Sequence, residues 1–335
     1  MKILGIESSC DETSAAVVED GRRVLGSVVA SQVDLHRKYG GVVPELASRA
    51  HVECMTAVLE EALAAAGCRA DDVEAVAVVH TPGLIGSLLM GVTAAKTLAW
   101  LLRKPLVPVN HVEAHAYSVC LDTDIEPWPC ISLIVSGGHT SLFHSRGPLE
   151  HALVGRTRDD AAGEAFDKVA AILELPYPGG PSIDRLARQG GNGQAIHFKR
   201  TRVGDEGLDF SFSGIKTAVL YQVRGTDLSR TAGDLTAAEV ADVAASFQEA
   251  VVDMLVASAL RAADARGVST IILGGGVAAN SRLRGRLVEA AEGQGLACHI
   301  PPLGYCTDNA GMVAGLGYHL YRAGRTAGLD LAATA

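Results

Sequence analysis

Two histidines four residues apart are the clearest candidates for chemistry in this chain. His111 and His115 share the segment 110–115, and residues at i and i+4 lie on one face of a helix, where two imidazoles can bind one metal ion. Asp308 is a candidate third ligand, because two imidazoles and one carboxylate leave coordination positions open for a substrate. Two structural histidines, at a helix surface or in a hydrogen-bonded core, are the alternative.

The glutamate between these histidines does not fit a metalloprotease. That chemistry needs the pattern HExxH, with the glutamate directly after the first histidine. Glu113 is two residues after His111 and points roughly to the opposite side of a helix. The peptidase interpretation is therefore the weaker one.

A second acidic cluster lies where a helix is predicted to begin. Asp160, Glu164 and Asp167 fall at helical spacing on one side. The negative charges of Asp159 and Asp160 are expected to complement the positive end of the helix dipole, which accounts for their presence there. Asp167 could accept hydrogen bonds from a ribose, as could Asp184 after a turn rich in proline and glycine. For both residues a solvated helix face is the alternative.

Two stretches, 3–18 and 131–143, repeat one pattern of an apolar run, a tight polar turn and a second apolar run. Each is predicted to form a β-hairpin. The turns at 7–14 and 136–140 offer backbone N–H groups and small hydroxyls, which suit phosphate oxygens. Two such turns facing each other suggest a nucleotide cleft between two halves of the protein.

The remaining chain alternates strand-like runs with amphipathic stretches, which is typical of α/β proteins. A strand at 75–79 precedes an apolar helix at 84–102, which is nearly long enough to cross a membrane. Lys96 and several small polar residues within it favour a buried helix. In the second half, a helix at 246–266 precedes a strand at 270–273.

Acidic residues and prolines at 123–129 predict a domain boundary there. The polar, glycine-rich stretch 189–209 predicts an excursion over the surface.

Composition restricts the possible functions. With 335 residues, 48% of them hydrophobic, the chain can form two ordinary cores. A net charge of -9 argues against a surface that binds nucleic acid unaided, so an RNA substrate would need a local basic patch or a partner. Seven cysteines without a CxxC pair suit neither a disulfide framework nor a zinc ribbon and predict a cytoplasmic location. The first apolar run ends at Glu7 and is no secretory signal.

Taken together, the motifs closely resemble the bacterial TsaD family, the tRNA N6-adenosine threonylcarbamoyltransferases once described as O-sialoglycoprotein endopeptidases. The resemblance covers nearly the whole chain. It is carried by the segments 5–13, 39–49, 135–140, 159–168, 177–181, 209–216, 274–280 and 306–309.

This resemblance implies the actin, Hsp70 and sugar-kinase type of fold, in which two related, ribonuclease H-like α/β lobes enclose a nucleotide. The lobes are expected at 1–125 and 126–335, with a final segment that packs back on the first lobe. Thr81 stands where the family commonly has glycine. Either the local backbone differs there or a positive φ is not needed.

The resemblance also implies a set of site residues. His111, His115 and Asp308 would hold one divalent metal, Fe²⁺ in most descriptions and Zn²⁺ in some. The adenylate would be lined by Ile134, Val135, Ser136, Gly137 and Gly138, with its nucleoside portion contacted by Asp167, Gly180, Asp184 and Asn280. Asp11 and Glu12 are candidate catalytic carboxylates that take the amine proton or steer the tRNA, the alternative being a surface turn.

The implied reaction moves the threonylcarbamoyl group of threonylcarbamoyl-AMP to N6 of the adenosine 3′ of the anticodon, in tRNAs that read codons beginning with adenine, and releases AMP. The implied partners are a paralogous inactive actin-like subunit (TsaB-like), a small ATPase (TsaE-like) and an adenylate-forming synthase (TsaC-like), with no membrane. The alternatives are a non-catalytic, nucleotide-dependent regulator and, more weakly, a metallopeptidase.

Overall fold

The computed structural model describes residues 1–335. Its strands are β1 (Lys2–Glu7), β2 (Glu12–Glu19), β3 (Arg23–Ser31), β4 (Ala75–Thr81), β5 (Leu106–Asn110), β6 (Cys130–Val135), β7 (Thr140–Gly147), β8 (Glu150–Arg156), β9 (Thr270–Gly274) and β10 (Ala297–His299). Its helices are α1 (Val33–Arg37), α2 (Pro44–Ala65), α3 (Ile85–Leu102), α4 (His111–Tyr117), α5 (Ala162–Ile172), α6 (Gly179–Arg188), α7 (Ser213–Arg224), α8 (Ala237–Arg266), α9 (Ser281–Glu292) and α10 (Ala310–Arg322).

The two predicted hairpins are confirmed, and each begins a five-stranded mixed sheet. β1 pairs antiparallel with β2, and β6 pairs antiparallel with β7. The first sheet has the order β3-β2-β1-β4-β5, and the second has the matching order β8-β7-β6-β9-β10. In both, the first strand of the hairpin also pairs with a parallel strand from later in the chain. The repeated order confirms the predicted α/β fold class with two related halves.

The chain divides into two compact units. The first contains Met1–Glu126, Gly147–Glu150 and Pro301–Ala335, and the second contains Pro127–Arg146 and His151–Ile300. The first unit therefore includes α10, although 183 residues lie between Glu126, where the chain first leaves this unit, and Ala310, the first residue of α10. The predicted nucleotide cleft between the halves stays a prediction.

Helices cover both faces of the first sheet. Leu4 and Ile6 point to one face, where they pack with apolar side chains of α2 and α3. Gly5 points to the other face, where α10 crosses β1. This alternation is the period of two expected for a strand, and it explains why β1 is apolar throughout.

Two helices, α3 and α8, are long and apolar enough to span a membrane by length and composition alone. In α8, 78% of the most apolar 18-residue stretch is buried inside the protein, whereas in α3 33% of the corresponding stretch is buried. The predicted apolar helix at 84–102 is thus confirmed as a helix, but the expectation that it is buried holds for one face only. Its other face exposes Ile85, Leu89 and Trp100.

Between the end of α6 and the start of α7 the chain forms no regular helix or strand, in agreement with the predicted excursion. α8 begins nine residues before the predicted start at 246, as its first residue, Ala237, shows. Its N-terminus is closed by a capping box in which Thr236 and Glu239 each bond the other's backbone N–H, a signal that precedes the apolar part of the helix.

Replacing Gly5 with alanine is expected to destabilise the first unit. A Cβ at this position would lie 2.4 Å from the Ala310 carbonyl oxygen and 2.7 Å from the Ala314 nitrogen, so α10 must move away from β1, at a cost of about 1–3 kcal/mol. The matched control is Gly285→Ala in α9, where a Cβ meets nothing within 4 Å, and a gain of about 1 kcal/mol is expected. Urea unfolding of both variants tests this, and an unchanged midpoint for G5A would contradict the close packing of α10 on β1.

Candidate metal centre and nucleotide turn

The structure brings His111, His115 and Asp308 together. Their nearest ligand atoms all lie within 4.8 Å of one another. Asp308 Oδ1 is 3.1 Å from His115 Nε2 and 3.6 Å from His111 Nε2. Both imidazoles are buried, whereas the Asp308 side chain is 18% exposed. Two nitrogen donors and one oxygen donor, open on the carboxylate side, suit a divalent transition metal.

Helix N-termini position these three residues. Asn110 ends β5 and caps α4 by accepting hydrogen bonds from the backbone N–H groups of Val112 and Glu113, which makes His111 the first residue of the helix. Asn309 caps α10 in the same way, by accepting from Met312 N, and Asp308 directly precedes it. α4 and α10 pack against each other. The structure confirms the predicted helical face for the two histidines.

Glu7, at the end of β1, orients the His111 ring. Its side chain has no exposed surface. One carboxylate oxygen accepts from the backbone N–H of Ser9 at 2.6 Å, and the other lies 3.0 Å from His111 Nδ1. The Ser9 hydroxyl is also 3.2 Å from Nδ1. A carboxylate can only accept here, so the Nδ1 of His111 carries a proton and Nε2 faces Asp308, as in carboxylate–histidine–metal arrangements.

The two histidines differ in their electrostatic surroundings. Burial by itself lowers the pKa of His111, but the negative charges of Asp308 and Glu7 outweigh it and raise this pKa to about 9. Burial lowers the pKa of His115. The Nδ1 atom of His115 is buried and has no hydrogen-bond partner. Without a cation, His111 is therefore charged at neutral pH and His115 is neutral.

Asp11 lies in the turn that follows Glu7, and Glu12 is the first residue of β2. Asp11 is buried, with 8% of its surface exposed. The two carboxyl groups are hydrogen-bonded to each other, and burial, followed by the charges of Asp308 and Asp11, raises the pKa of Glu12. Ser31 donates a hydrogen bond to Glu12. The charge of Asp308 therefore acts on Glu12, a proximity that sequence spacing alone does not show.

The second turn carries two exposed glycines. Gly137 and Gly138 are exposed, and a Cβ at either would meet nothing within 4 Å. Ser136 closes the turn, since its N–H donates to the His139 carbonyl and its hydroxyl accepts from His139 N. Ile134 and Val135 are fully buried strand residues, so only their backbone can contribute to a site.

The remaining predicted nucleoside contacts are joined by hydrogen bonds within the second unit. Asp167 on α5 accepts from the backbone N–H of Gly179 at the start of α6, next to Gly180. Asp184 on α6 accepts from the Ser281 hydroxyl. Asn280 caps α9 and donates its amide to Gln248. These hydrogen bonds join α5 to α6 and α6 to the start of α9. Asp184 and Asn280 therefore also have a structural role in the second unit.

The explanation of Asp159 as a partner of the helix that begins just after it is wrong. Its carboxylate accepts from the N–H groups of Phe212 and Ser213 and from the Ser213 hydroxyl, so it caps α7, about fifty residues later. Asp160, which precedes α5, forms ion pairs with Lys168 and Lys216, and these offset its repulsion with the carboxylates of α5.

Thr81 is the last residue of β4 and is not among the residues with positive φ. The glycine common at this position in the family is therefore not needed here for its backbone angle. The substitution leaves the strand intact.

Loading of this centre is expected to release a proton. The apparent affinity for Zn²⁺ should fall as pH falls below about 9, by roughly tenfold per pH unit, because the cation competes with the proton on His111. Titration calorimetry at pH 7 in buffers of different ionisation enthalpy should show release of about one proton. Asp308→Ala should abolish this binding, and Asp72→Ala, on an exposed turn of the same unit, should not. Binding at pH 7 without proton release would contradict the charged state of His111.

The sequence matches known proteins along nearly its whole length. The family model for TsaD, tRNA N6-adenosine threonylcarbamoyltransferase, matches residues 23–315. A protein of that name from Anaeromyxobacter sp. (strain Fw109-5) is 52% identical over 332 residues, which is 99% of this chain and 98% of the relative. Another, from Symbiobacterium thermophilum, is 53% identical over 330 residues, 98% of this chain and 94% of the relative.

Solved structures support the fold at low identity. HypF from T. kodakarensis aligns with a TM-score of 0.65 at 16% identity, over 97% of this chain and 48% of its own. Component A of the (R)-2-hydroxyglutaryl-CoA dehydratase of Acidaminococcus fermentans aligns with a TM-score of 0.54 at 18% identity, over 96% and 98%. From the family match and the full-length relatives together, this chain belongs to the TsaD family of tRNA N6-adenosine threonylcarbamoyltransferases.

Proposed function

We propose that this chain transfers the threonylcarbamoyl group of threonylcarbamoyl-AMP to N6 of the adenosine 3′ of the anticodon, in tRNAs that read codons beginning with adenine. The observation that carries the proposal is the cluster of His111, His115 and Asp308, with the acidic pair Asp11–Glu12 beside it. Family membership supplies the activity and the tRNA substrate.

The reaction needs positioning and charge stabilisation more than a strong nucleophile. The N6 amine attacks the carbamoyl carbon, a C–N bond forms, the bond from that carbon to the phosphate oxygen breaks, and AMP leaves. The amine loses one proton. Because an aromatic amine is a weak nucleophile, alignment with the carbonyl and stabilisation of charge on the carbonyl and phosphate oxygens account for most of the expected catalysis.

His111 and His115 Nε2 and the Asp308 carboxylate would hold one divalent cation, Fe²⁺ or alternatively Zn²⁺. The donor set fits either ion, and the hydrogen bond from His111 Nδ1 to Glu7 fixes the ring with Nε2 available. A cation here would act as a Lewis acid toward carbonyl or phosphate oxygens of the substrate. The side of Asp308, the least buried member of the set, is the proposed side of substrate approach.

Asp11 and Glu12 are the proposed acceptors of the amine proton. They share a hydrogen bond and lie within the field of Asp308. A carboxylate that takes up a proton in the transition state contributes about 10²–10⁴ in rate. Because burial and neighbouring negative charge raise the pKa of Glu12 to about 10, the pair shares one proton at neutral pH, and its remaining carboxylate is the proposed acceptor.

The turn 136–138 is proposed to bind the adenylate through its backbone. Gly137 and Gly138 are exposed and carry no side chain, and an exposed glycine turn of this kind suits phosphate oxygens. The proposed nucleoside contacts are Asp167, Gly180, Asp184 and Asn280. For the last two, the bonds to Ser281 and Leu283 provide a structural role as well.

The proposed partners are a TsaB-like actin-like subunit, a TsaE-like ATPase and a TsaC-like synthase that supplies the adenylate. An acidic chain, with net charge -9, supports shared tRNA binding. Several arginines that would suit RNA are already ion-paired, including Arg200 with Asp253 and Arg282 with Glu249. The proposed location is the cytoplasm, in keeping with a tRNA substrate and with seven free cysteines.

The metal ligands can be tested by nucleoside mass spectrometry. Unmodified tRNA is incubated with threonylcarbamoyl-AMP, this protein and the partner subunits. His111→Ala and Asp308→Ala should form threonylcarbamoyladenosine at least 100-fold more slowly than the parent while remaining folded, because substrate oxygens lose their electrophilic partner. Normal product from both variants would remove this cluster from the mechanism. Adenylate binding without product from the parent protein would favour the nucleotide-dependent regulator.

The acidic pair has a separate test in the same assay. Asp11→Asn or Glu12→Gln should lower kcat about 100-fold or more, because the acceptor of the amine proton is lost. Asp234→Asn, on an exposed turn of the second unit, is the control and should leave kcat unchanged. Parent-like kcat in both D11N and E12Q would show that neither carboxylate accepts the proton.

A further inference from the structure

His51, on α2, is a fully buried histidine that the proposed mechanism does not use. Its side chain has no exposed surface, yet one ring nitrogen is bonded to the turn between β1 and β2 and the other to the first part of β2. Nε2 lies 3.0 Å from the carbonyl oxygen of Cys10, and Nδ1 lies 2.6 Å from the hydroxyl of Thr13. The ring therefore spans the two residues that flank Asp11 and Glu12.

The chemistry of the partners fixes the tautomer. A carbonyl oxygen can only accept, so Nε2 carries the proton and donates to Cys10. In the neutral ring Nδ1 is then an acceptor, and the Thr13 hydroxyl donates to it. Burial lowers the pKa of His51, which favours this neutral form. A protonated ring would offer two donors to the turn.

The Cys10 carbonyl needs this partner because of its place in the turn. β1 ends at Glu7 and β2 begins at Glu12, so the carbonyl of Cys10 lies outside the ladder of the hairpin. A buried carbonyl without a partner is costly. On the other side of the segment, the Asp11 carbonyl accepts from Gln32 N. The backbone of the acidic pair is thus held from two directions.

We propose that His51 is a positioning residue, which holds the Cys10–Thr13 backbone so that the Asp11 and Glu12 carboxylates face the reacting amine. This inference rests on the proposed role of those carboxylates. His51 itself touches no substrate, since it is wholly buried. A small displacement of a reacting group is enough to cost up to 10²-fold in rate.

Two substitutions separate the bonds of the ring. His51→Gln can place an amide N–H at the position of Nε2, so it keeps the bond to the Cys10 carbonyl and loses the bond to Thr13. His51→Asn can place an amide oxygen at the position of Nδ1, so it keeps the bond from Thr13 and loses the bond to Cys10. With the full chain, its partner subunits and threonylcarbamoyl-AMP, we expect His51→Asn to lower kcat about tenfold or more, with KM for the adenylate within twofold. His51→Gln, which keeps the bond to Cys10 and loses the bond to Thr13, should lower kcat only several-fold, and metal content should be unchanged in both variants.

The matched control is His319→Asn on α10. His319 is partly buried and, like His51, hydrogen-bonded, in its case through Nε2 to the Tyr117 hydroxyl, but it has no bond to the turn. Its kcat should be that of the parent. If H51N does not fold, as judged by circular dichroism, Thr13→Val and Thr13→Ser decide instead. T13V, without the hydroxyl, should lower kcat several-fold, and T13S, which keeps it, should not.

A purely structural role for His51 would give a different result. Equal kcat per folded molecule in H51N, H51Q and the parent would overturn the proposal. A kcat for H51Q as low as that for H51N would overturn it too. The D11N and E12Q variants distinguish failure of the positioning role from failure of the proposed function. If D11N and E12Q lose activity and H51N does not, only the positioning role is wrong. If D11N and E12Q both retain the parent kcat, the role of the carboxylates is wrong, and so is the positioning role that depends on it.

Discussion

The buried carboxylate of Glu7 is the constraint on which the candidate site depends. An ionised group without exposed surface is tolerated only when its oxygens are hydrogen-bonded, and here one oxygen accepts from Ser9 N and the other from His111 Nδ1. These bonds join the end of β1 to the start of α4. They fix the path of the chain into the turn that carries Asp11 and Glu12, and they leave His111 Nε2 facing Asp308. The Glu7 carboxylate therefore sets both the backbone of the turn and the orientation of the His111 ring, a proposed metal ligand.

The sheet supplies this geometry because of its strand order. β1 lies next to β4, and β4 lies next to β5, with all three parallel. Parallel strands end at one edge, so Glu7 and the His111 that follows β5 meet there. α10 then brings Asp308 to the same edge from the far end of the chain. The second unit repeats the strand order but places two exposed glycines at the corresponding hairpin turn. The same architecture thus carries different residues at the corresponding hairpin turns of the two units.

Local signals in the sequence were sufficient for the hairpins, the α/β alternation and the shared helical face of His111 and His115. Each depends on a periodicity within a few residues. The contacts of Glu7, His51 and Asp159 were not predictable in this way, because their partners lie 104, 41 and 53 residues away. Glu7 gave one signal, a carboxylate that ends an otherwise apolar strand. His51 gave none beyond its position on the buried side of α2. The roles of Asp11, Glu12 and the adenylate contacts stay predictions.

The most direct test of this account is the protonation pattern of His111 in the protein loaded with Zn²⁺, measured by nitrogen-15 NMR of labelled histidine. The hydrogen bond to Glu7 predicts a proton on Nδ1 and a resonance for Nε2 shifted by coordination to the metal. In Glu7→Gln the amide can still accept from Nδ1, so the same tautomer should persist. A parent protein with the proton on Nε2, or with Nδ1 bound to the metal, would contradict the claim that Glu7 orients this ligand.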